Sequence, residues 1–377
     1  MRSLAPEAAT PEASVHPAAR RRVSTADAVG AGLVAAAIAS VLVSAADDGG
    51  APGPTALLLL GSLVTYLLSL AISRRVRWLV PVIVLLAAGG VAVANTSALF
   101  ERSPFVVPFG YAHFMWAFFL QAGLAGVMLA VLKAPLALRV AGATVGLAFG
   151  LVAFGGSVLG PLVLGAILVM ALIVRRGWAR AGVIAAGAVF LGAVVASVVL
   201  GATYSGLERW GSPNMLLEAT SNRCDTGPGC SLSEAEGLDR VVFSAVSERR
   251  VALWHDAFIL MRDHPVTGVG PGLFQAKSPL ALGDRDEPWA HHEFLHFGAE
   301  AGAPGMLLLL VLFVWAFARL FRSEMTDGAT LIAATAVAAL GMHACLDYVL
   351  HYPAAPLVMA ALVGAGAASR RSPEAAA

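Results

Sequence analysis

Apolar residues in this chain come in blocks long enough to cross a bilayer, and that feature decides the fold class. A helix needs about 20 mostly apolar residues to span the hydrocarbon core. Runs of this kind fall near 27–46, 55–73, 78–97, 109–132, 138–156, 158–174 and 181–202, and three more near 303–321, 328–346 and 352–369. The stretch 138–174 is too long for one crossing and divides at Gly155-Gly156-Ser157. Inside lipid the backbone has no water to bond, so such spans must be helices. The expectation is an all-α polytopic membrane protein with about ten transmembrane helices and one large extracytoplasmic loop that contains short helices.

Composition supports this reading. Hydrophobic residues make up 58% and charged residues 13%, where soluble domains carry about a quarter charged residues. A disordered chain, a collagen and an ordinary cytosolic enzyme are thereby excluded. A net charge of +1 supplies no field to recruit nucleic acid, so none is expected as a partner.

Lys and Arg in the short loops orient the spans. Arg20–Arg22, Arg74/Arg75/Arg77, Lys133 and Arg139, Arg175/Arg176/Arg180, Arg319/Arg322 and Arg370/Arg371 all fall on one side of a ten-span alternation. The short loops of the other side hold only Arg102. Both termini are therefore expected in the cytoplasm. The domain plan is a disordered cytoplasmic tail at 1–25, a seven-helix transmembrane half at 26–202 and an extracytoplasmic loop at 203–302. Three transmembrane helices at 303–370 and a tail at 371–377 complete it. The first segment is not a signal peptide in form, because its basic cluster comes late and no small-residue cleavage site follows the apolar run.

The loop 203–302 carries eight of the 25 basic and 14 of the 24 acidic residues, and five of the nine histidines: His255, His264, His291, His292 and His296. Titratable groups are thus concentrated on the outer side. Cys224 and Cys230 lie in the same loop, where an oxidising compartment would allow a small disulfide-closed turn. Cys345 lies in a late span and reads as a small apolar filler. Asp347, His343 and His351 sit at or near the outer end of the ninth span, where polar groups either face a pathway or cap helix ends.

Residues 248–263 predict a helix within the loop. At 100° per residue, Leu253, Trp254, Ala257, Phe258 and Met261 form one stripe, while Arg249, Asp256 and Asp263 point away. Arg250 falls in the middle of the apolar stripe, so it must snorkel or find an anion. Its permanently charged planar fork suits a phosphate or diphosphate. A Gly- and Pro-dense turn follows, from His264 to Phe274.

Two readings compete for the next histidines. His292-Glu293-Phe294-Leu295-His296 is a literal H-E-x-x-H, the pattern of a zinc metalloprotease with the glutamate as base. Alternatively, a helix through this segment would put His291, Leu295, Gly298, Gly302 and Gly305 on one face. That glycine face would let a bulky ligand or a neighbouring helix approach the backbone beside His291.

The order of these features resembles the O-antigen ligase/polymerase family of bacterial envelope glycosyltransferases. The resemblance rests on Arg250, Trp254 and Ala257 (R-x-x-x-W-x-x-A), then on Pro265, Gly268-Val269-Gly270-Pro271-Gly272 and Phe274. It continues with His291 and with Gly302 and Gly305, followed by three spans. It implies a location in the bacterial inner membrane and an undecaprenyl-diphosphate-linked glycan donor. The acceptor would be a lipid, glycan or protein hydroxyl, and the chemistry would need neither cofactor nor metal. It implies that Arg250 stabilises the diphosphate and that His291 is the general base. It also implies that Arg249, Arg240, Trp254, Gly270, Gly272, Gly302 and Gly305 contribute to substrate binding. Members carry a Ser-Arg pair in an earlier span where this chain has Ser157-Val158, so the second diphosphate-binding arginine falls to Arg249, Arg240 or Arg209. Ligation to a lipid core and polymerisation of repeat units both fit. A transporter is the third class, but the chain shows no internal repeat and its charges cluster in the loop, away from the midplane.

Overall fold

The computed structural model describes residues 24–96, 105–106, 110–156, 179–204, 248–282, 289–323 and 328–368. In chain order the helices are α1 (Thr25–Asp48), α2 (Gly53–Ser73), α3 (Leu79–Ala94), α4 (Ala112–Val131), α5 (Leu136–Gly156), α6 (Ala179–Thr203), α7 (Glu248–Asp263), α8 (Phe274–Lys277), α9 (Glu293–Phe321), α10 (Gly328–Ala344) and α11 (Ala354–Ala367). A two-residue antiparallel ladder, Phe105–Val106 against Gly110–Tyr111, precedes α4. Six of the described helices are long and apolar enough to cross a membrane: α1, α2, α4, α5, α6 and α9. Three of the expected spans are shorter apolar helices, α3, α10 and α11. The run at 158–174 lies outside the described residues, as do Cys224, Cys230, Arg209 and Arg240.

The outward faces identify the surrounding solvent. Leu57, Leu86, Val93 and Leu136 are 70%, 71%, 76% and 72% exposed, and large apolar side chains cover the outer surface of α1, α2, α5 and α6 as well. A water-soluble domain does not present so much contiguous apolar surface. This is a membrane protein, with the apolar side chains facing lipid.

Inside the bundle, α10 is the axis. Its residues from Ala329 to Gly341 are all buried, and it packs against α4, α6, α9 and α11. Gln121 on α4 donates to the Ala336 carbonyl at 3.0 Å, so one buried amide side chain on α4 is tied to α10. The tightest pair is α4 with α5. Gly126 and Gly146 meet backbone to backbone, and a Cβ on Gly146 would lie 2.8 Å from Gly126 Cα. Small residues at four-residue spacing (Gly142, Gly146, Gly150) allow that approach, and close van der Waals packing drives helix association where no hydrophobic force exists between helices.

Buried charge ties one end together. Asp27 Oδ1 accepts from Tyr66 Oη at 2.6 Å and from Arg319 Nε at 2.9 Å, and Arg74 approaches its Oδ2 at 3.8 Å. Residues from α1, α2 and α9 thus converge on one carboxylate.

The opposite end is built around a break in α9. Ala301 and Gly302 leave helical geometry, with Gly302 at φ 71°. The carbonyls freed there find partners on α1: Ser44 Oγ donates to Glu300 O at 2.6 Å and Ser40 Oγ to Ala301 O at 3.5 Å. The glycine-rich turn docks into the same break. Val269 N donates to Ala299 O, Gly270 N to Glu300 O and Ala303 N to Pro265 O, at 2.8, 3.1 and 2.9 Å. Pro271 O accepts from Ala51 N at 2.8 Å, which joins the turn to the α1–α2 connection.

Candidate active site

Helix α7 carries the arginine that the apolar stripe left in need of an anion. Leu253, Trp254 and Ala257 are buried as the stripe requires, between α6 and α9. A Cβ on Gly298 would meet Met261 Sδ at 2.5 Å, which shows how closely α7 rides on α9. Asp256 corrects the sequence reading: it does not point away but is 7% exposed. Its Oδ2 accepts from Ser278 Oγ at 2.6 Å and Leu280 N at 3.1 Å. The segment 274–282 covers what a lone amphipathic helix would leave to water. Burial pushes the Asp256 carboxyl above its ordinary range, against the pull of those two hydrogen bonds.

The anion that Arg250 finds is Asp347. Arg250 Nη2 stands 3.7 Å from Asp347 Oδ2, and Arg250 Nη1 donates to the Leu346 carbonyl at 3.3 Å. The other carboxylate oxygen, Oδ1, stands 3.0 Å from His291 Nδ1. One carboxylate therefore joins the guanidinium of α7 to the imidazole just before α9. Asp347 and His291 are buried, at 4% and 7% exposure, whereas the Arg250 side chain is 36% exposed and reaches solvent.

His291 is held from several sides. Its backbone carbonyl accepts from Trp254 Nε1 at 2.9 Å, and Tyr348 stands edge-on to its ring at 4.8 Å. Its φ is +51°, a left-handed conformation that costs a non-glycine residue of order 1–3 kcal/mol and persists only where surroundings impose it. The helical face drawn through His291, Leu295, Gly298, Gly302 and Gly305 does not form. Helix α9 starts at Glu293, after an extended His292 at φ −161°, and breaks at Gly302. Gly302 is instead the point where the Pro265–Val266 backbone crosses α9. Gly270, at φ 100°, packs against Gly49 O, Gly305 lies against Phe297, and Gly272 at φ 78° has open space where a side chain would sit. Arg249 is on α7, half-buried.

The H-E-x-x-H residues are divided among other tasks. His292 caps α9: its Nδ1 accepts from Leu295 N at 3.2 Å, and its Nε2 bonds Ser197 Oγ at 2.7 Å. Burial holds its pKa down at about 3, so it is neutral. Glu293 accepts from the Leu350 and His351 backbone amides and pairs with His351 Nδ1 at 3.1 Å. His296 faces Glu300, with Nε2 and Oε1 3.4 Å apart. A zincin needs both histidines on one helical face, and here the first precedes the helix. Among the described residues, no three His, Cys, Asp or Glu side chains converge as ligands for a metal ion.

His343 and His351 are also placed. His343 is buried, and its carbonyl accepts the Asp347 amide at 2.9 Å. His351 titrates above its ordinary value: burial opposes its charge, but the Glu293 carboxylate and then Glu300 outweigh it.

These features define a polytopic membrane protein with a guanidinium–carboxylate–imidazole site at one end of its helical bundle. Residues 143–310 match the family model described as O-antigen ligase. The match takes in Arg250 and His291 and stops short of Asp347. No curated protein matches the chain.

Proposed function

We propose that the chain transfers a glycan from undecaprenyl diphosphate to an acceptor hydroxyl on the extracytoplasmic side of a bacterial inner membrane. The observation that carries this reading is the Asp347 carboxylate shared by Arg250 and His291, next to the family match over residues 143–310.

A carboxylate accepts hydrogen bonds, so the hydrogen between His291 and Asp347 sits on Nδ1, and Nε2 carries the lone pair. In the proposed reaction the acceptor oxygen attacks the anomeric carbon as its proton passes to His291 Nε2. The bond from that carbon to the diphosphate oxygen breaks, and undecaprenyl diphosphate leaves. Arg250 stabilises the charge that collects on the departing diphosphate. Asp347 holds the imidazole in one tautomer and stabilises the imidazolium that forms. Arg249 sits one residue from Arg250 and is the described candidate for a second diphosphate contact; Trp254 acts through the His291 carbonyl.

An apolar groove between α1, α2, α9 and α11 suits the polyprenyl chain. Val34, Leu58, Phe313 and Met359 line it, and its wall includes Leu350, three residues beyond Asp347. A lipid-linked donor needs an apolar groove of this kind for its polyprenyl tail.

Glycan analysis of a deletion strain tests the reading and separates its two forms. Accumulated lipid-linked polymer means a ligase, and accumulated single repeats mean a polymerase. A strain with an unchanged envelope glycan profile removes the proposal.

A further inference from the structure

Beside His291, but outside the Arg250–Asp347–His291 group, lies a cluster of stacked rings. Tyr348 is its keystone, 1% exposed. It touches the His291 ring edge-on at 4.8 Å, Trp289 in a stacked arrangement at 5.5 Å and Phe114 at 4.8 Å. Phe114 in turn stacks on Tyr352 at 4.0 Å, and Trp289 lies over His351 at 4.1 Å. The inner rings are buried, while Trp289, Tyr352 and His351 are partly exposed. Glu293 fixes the His351 imidazole from behind.

We infer that Trp289, Tyr352 and His351 form the platform that binds the acceptor saccharide; this rests on the glycosyl-transfer reading above. A pyranose ring is apolar on the face where its C–H bonds project and polar around its rim. Stacked aromatic rings with one polar group held beside them complement both parts. The Tyr348 amide donates to Asp347 Oδ1 at 2.9 Å, so the platform and the proposed base share one carboxylate and are fixed relative to each other. A sugar on these rings therefore sits within one ring's reach of His291.

Interfacial aromatic belts are the ordinary explanation for Trp and Tyr at this depth. Belt residues are distributed around the circumference and face lipid. These rings are instead gathered on one side, packed against one another and joined to His291.

The test uses the full chain in phospholipid nanodiscs with an undecaprenyl-diphosphate oligosaccharide donor. Lipid A–core oligosaccharide serves as acceptor in one series, and a second lipid-linked oligosaccharide in another. Trp289→Leu is expected to raise the acceptor KM roughly three- to tenfold, with donor KM and kcat unchanged, and Trp289→Phe to restore most of the loss. Tyr352→Leu is expected to give the same signature and carries the test if Trp289→Leu does not fold. An unchanged acceptor KM, or a fall in kcat alone, overturns the platform while leaving the transfer chemistry intact. Failure of the parent chain to transfer to either acceptor overturns both.

Discussion

Asp347 Oδ1 and His291 Nδ1 stand 3.0 Å apart in a buried pair, although 56 residues separate them in the chain. The pair orients the imidazole of a histidine from the polar loop, and the second oxygen of the same carboxylate faces Arg250.

Asp347→Asn is expected to keep the fold and lower glycan transfer on the order of a hundredfold or more, because an amide neither enforces the tautomer nor stabilises the imidazolium. Turnover of a lipid-linked donor by the purified variant measures this. A rate near that of the parent chain would remove Asp347 from the mechanism.

The ranking of four alanine substitutions separates two chemistries. His291→Ala and Arg250→Ala should each abolish transfer, and Arg250→Lys should not restore it, since a point charge does not replace a planar fork. His292→Ala and His296→Ala should be milder. A metalloprotease would show the reverse order, complete loss with Glu293→Gln and stoichiometric zinc by elemental analysis.

Gly302→Ala should destabilise the protein by at least ~1 kcal/mol, since the residue sits at φ 71° with the Val266 carbonyl where a Cβ would go. Thermal unfolding in detergent is the readout. A melting temperature equal to that of the parent chain would mean that the break in α9 is not tightly held by the turn.

The Glu293–His351 pair gives a pH signature. The His351 pKa is raised in the folded state, so the pair's stabilisation is complete below the ordinary imidazole value of about 6.5 and is lost as pH rises through the raised one. The stability gap between the parent chain and His351→Gln should narrow as pH rises above about 6.5. A gap that widens with pH contradicts the assignment.

Much of the architecture was legible because exclusion from water acts residue by residue. Apolar runs announce themselves as helices wherever they occur, and α1, α2, α4, α5, α6 and α9 lie on stretches identified that way. The stripe of α7 was legible for the same reason, and with it the demand that Arg250 find an anion. Which anion was not legible. Asp347 stood out only as a charged residue in an apolar neighbourhood, and a cap at a helix end was the slightly favoured reading. Asp256 was misplaced because periodicity describes one buried face, and packing on both sides of α7 buries a second.

The histidines show where local reading stops. Spacing offered His292 and His296 as metal ligands and His291 as a member of a helical face. The helix does not begin until Glu293, and His291 takes a left-handed conformation that no periodicity encodes.

Hydropathy along the chain was enough to establish a helical membrane protein and to mark out its polar segment, because transfer from water to lipid is a sum over neighbouring residues. Which imidazole meets which carboxylate was decided only when α7, the start of α9 and the end of α10 packed together. A hydrogen bond depends on distance and direction between groups remote in sequence, and those quantities do not exist until the chain has folded.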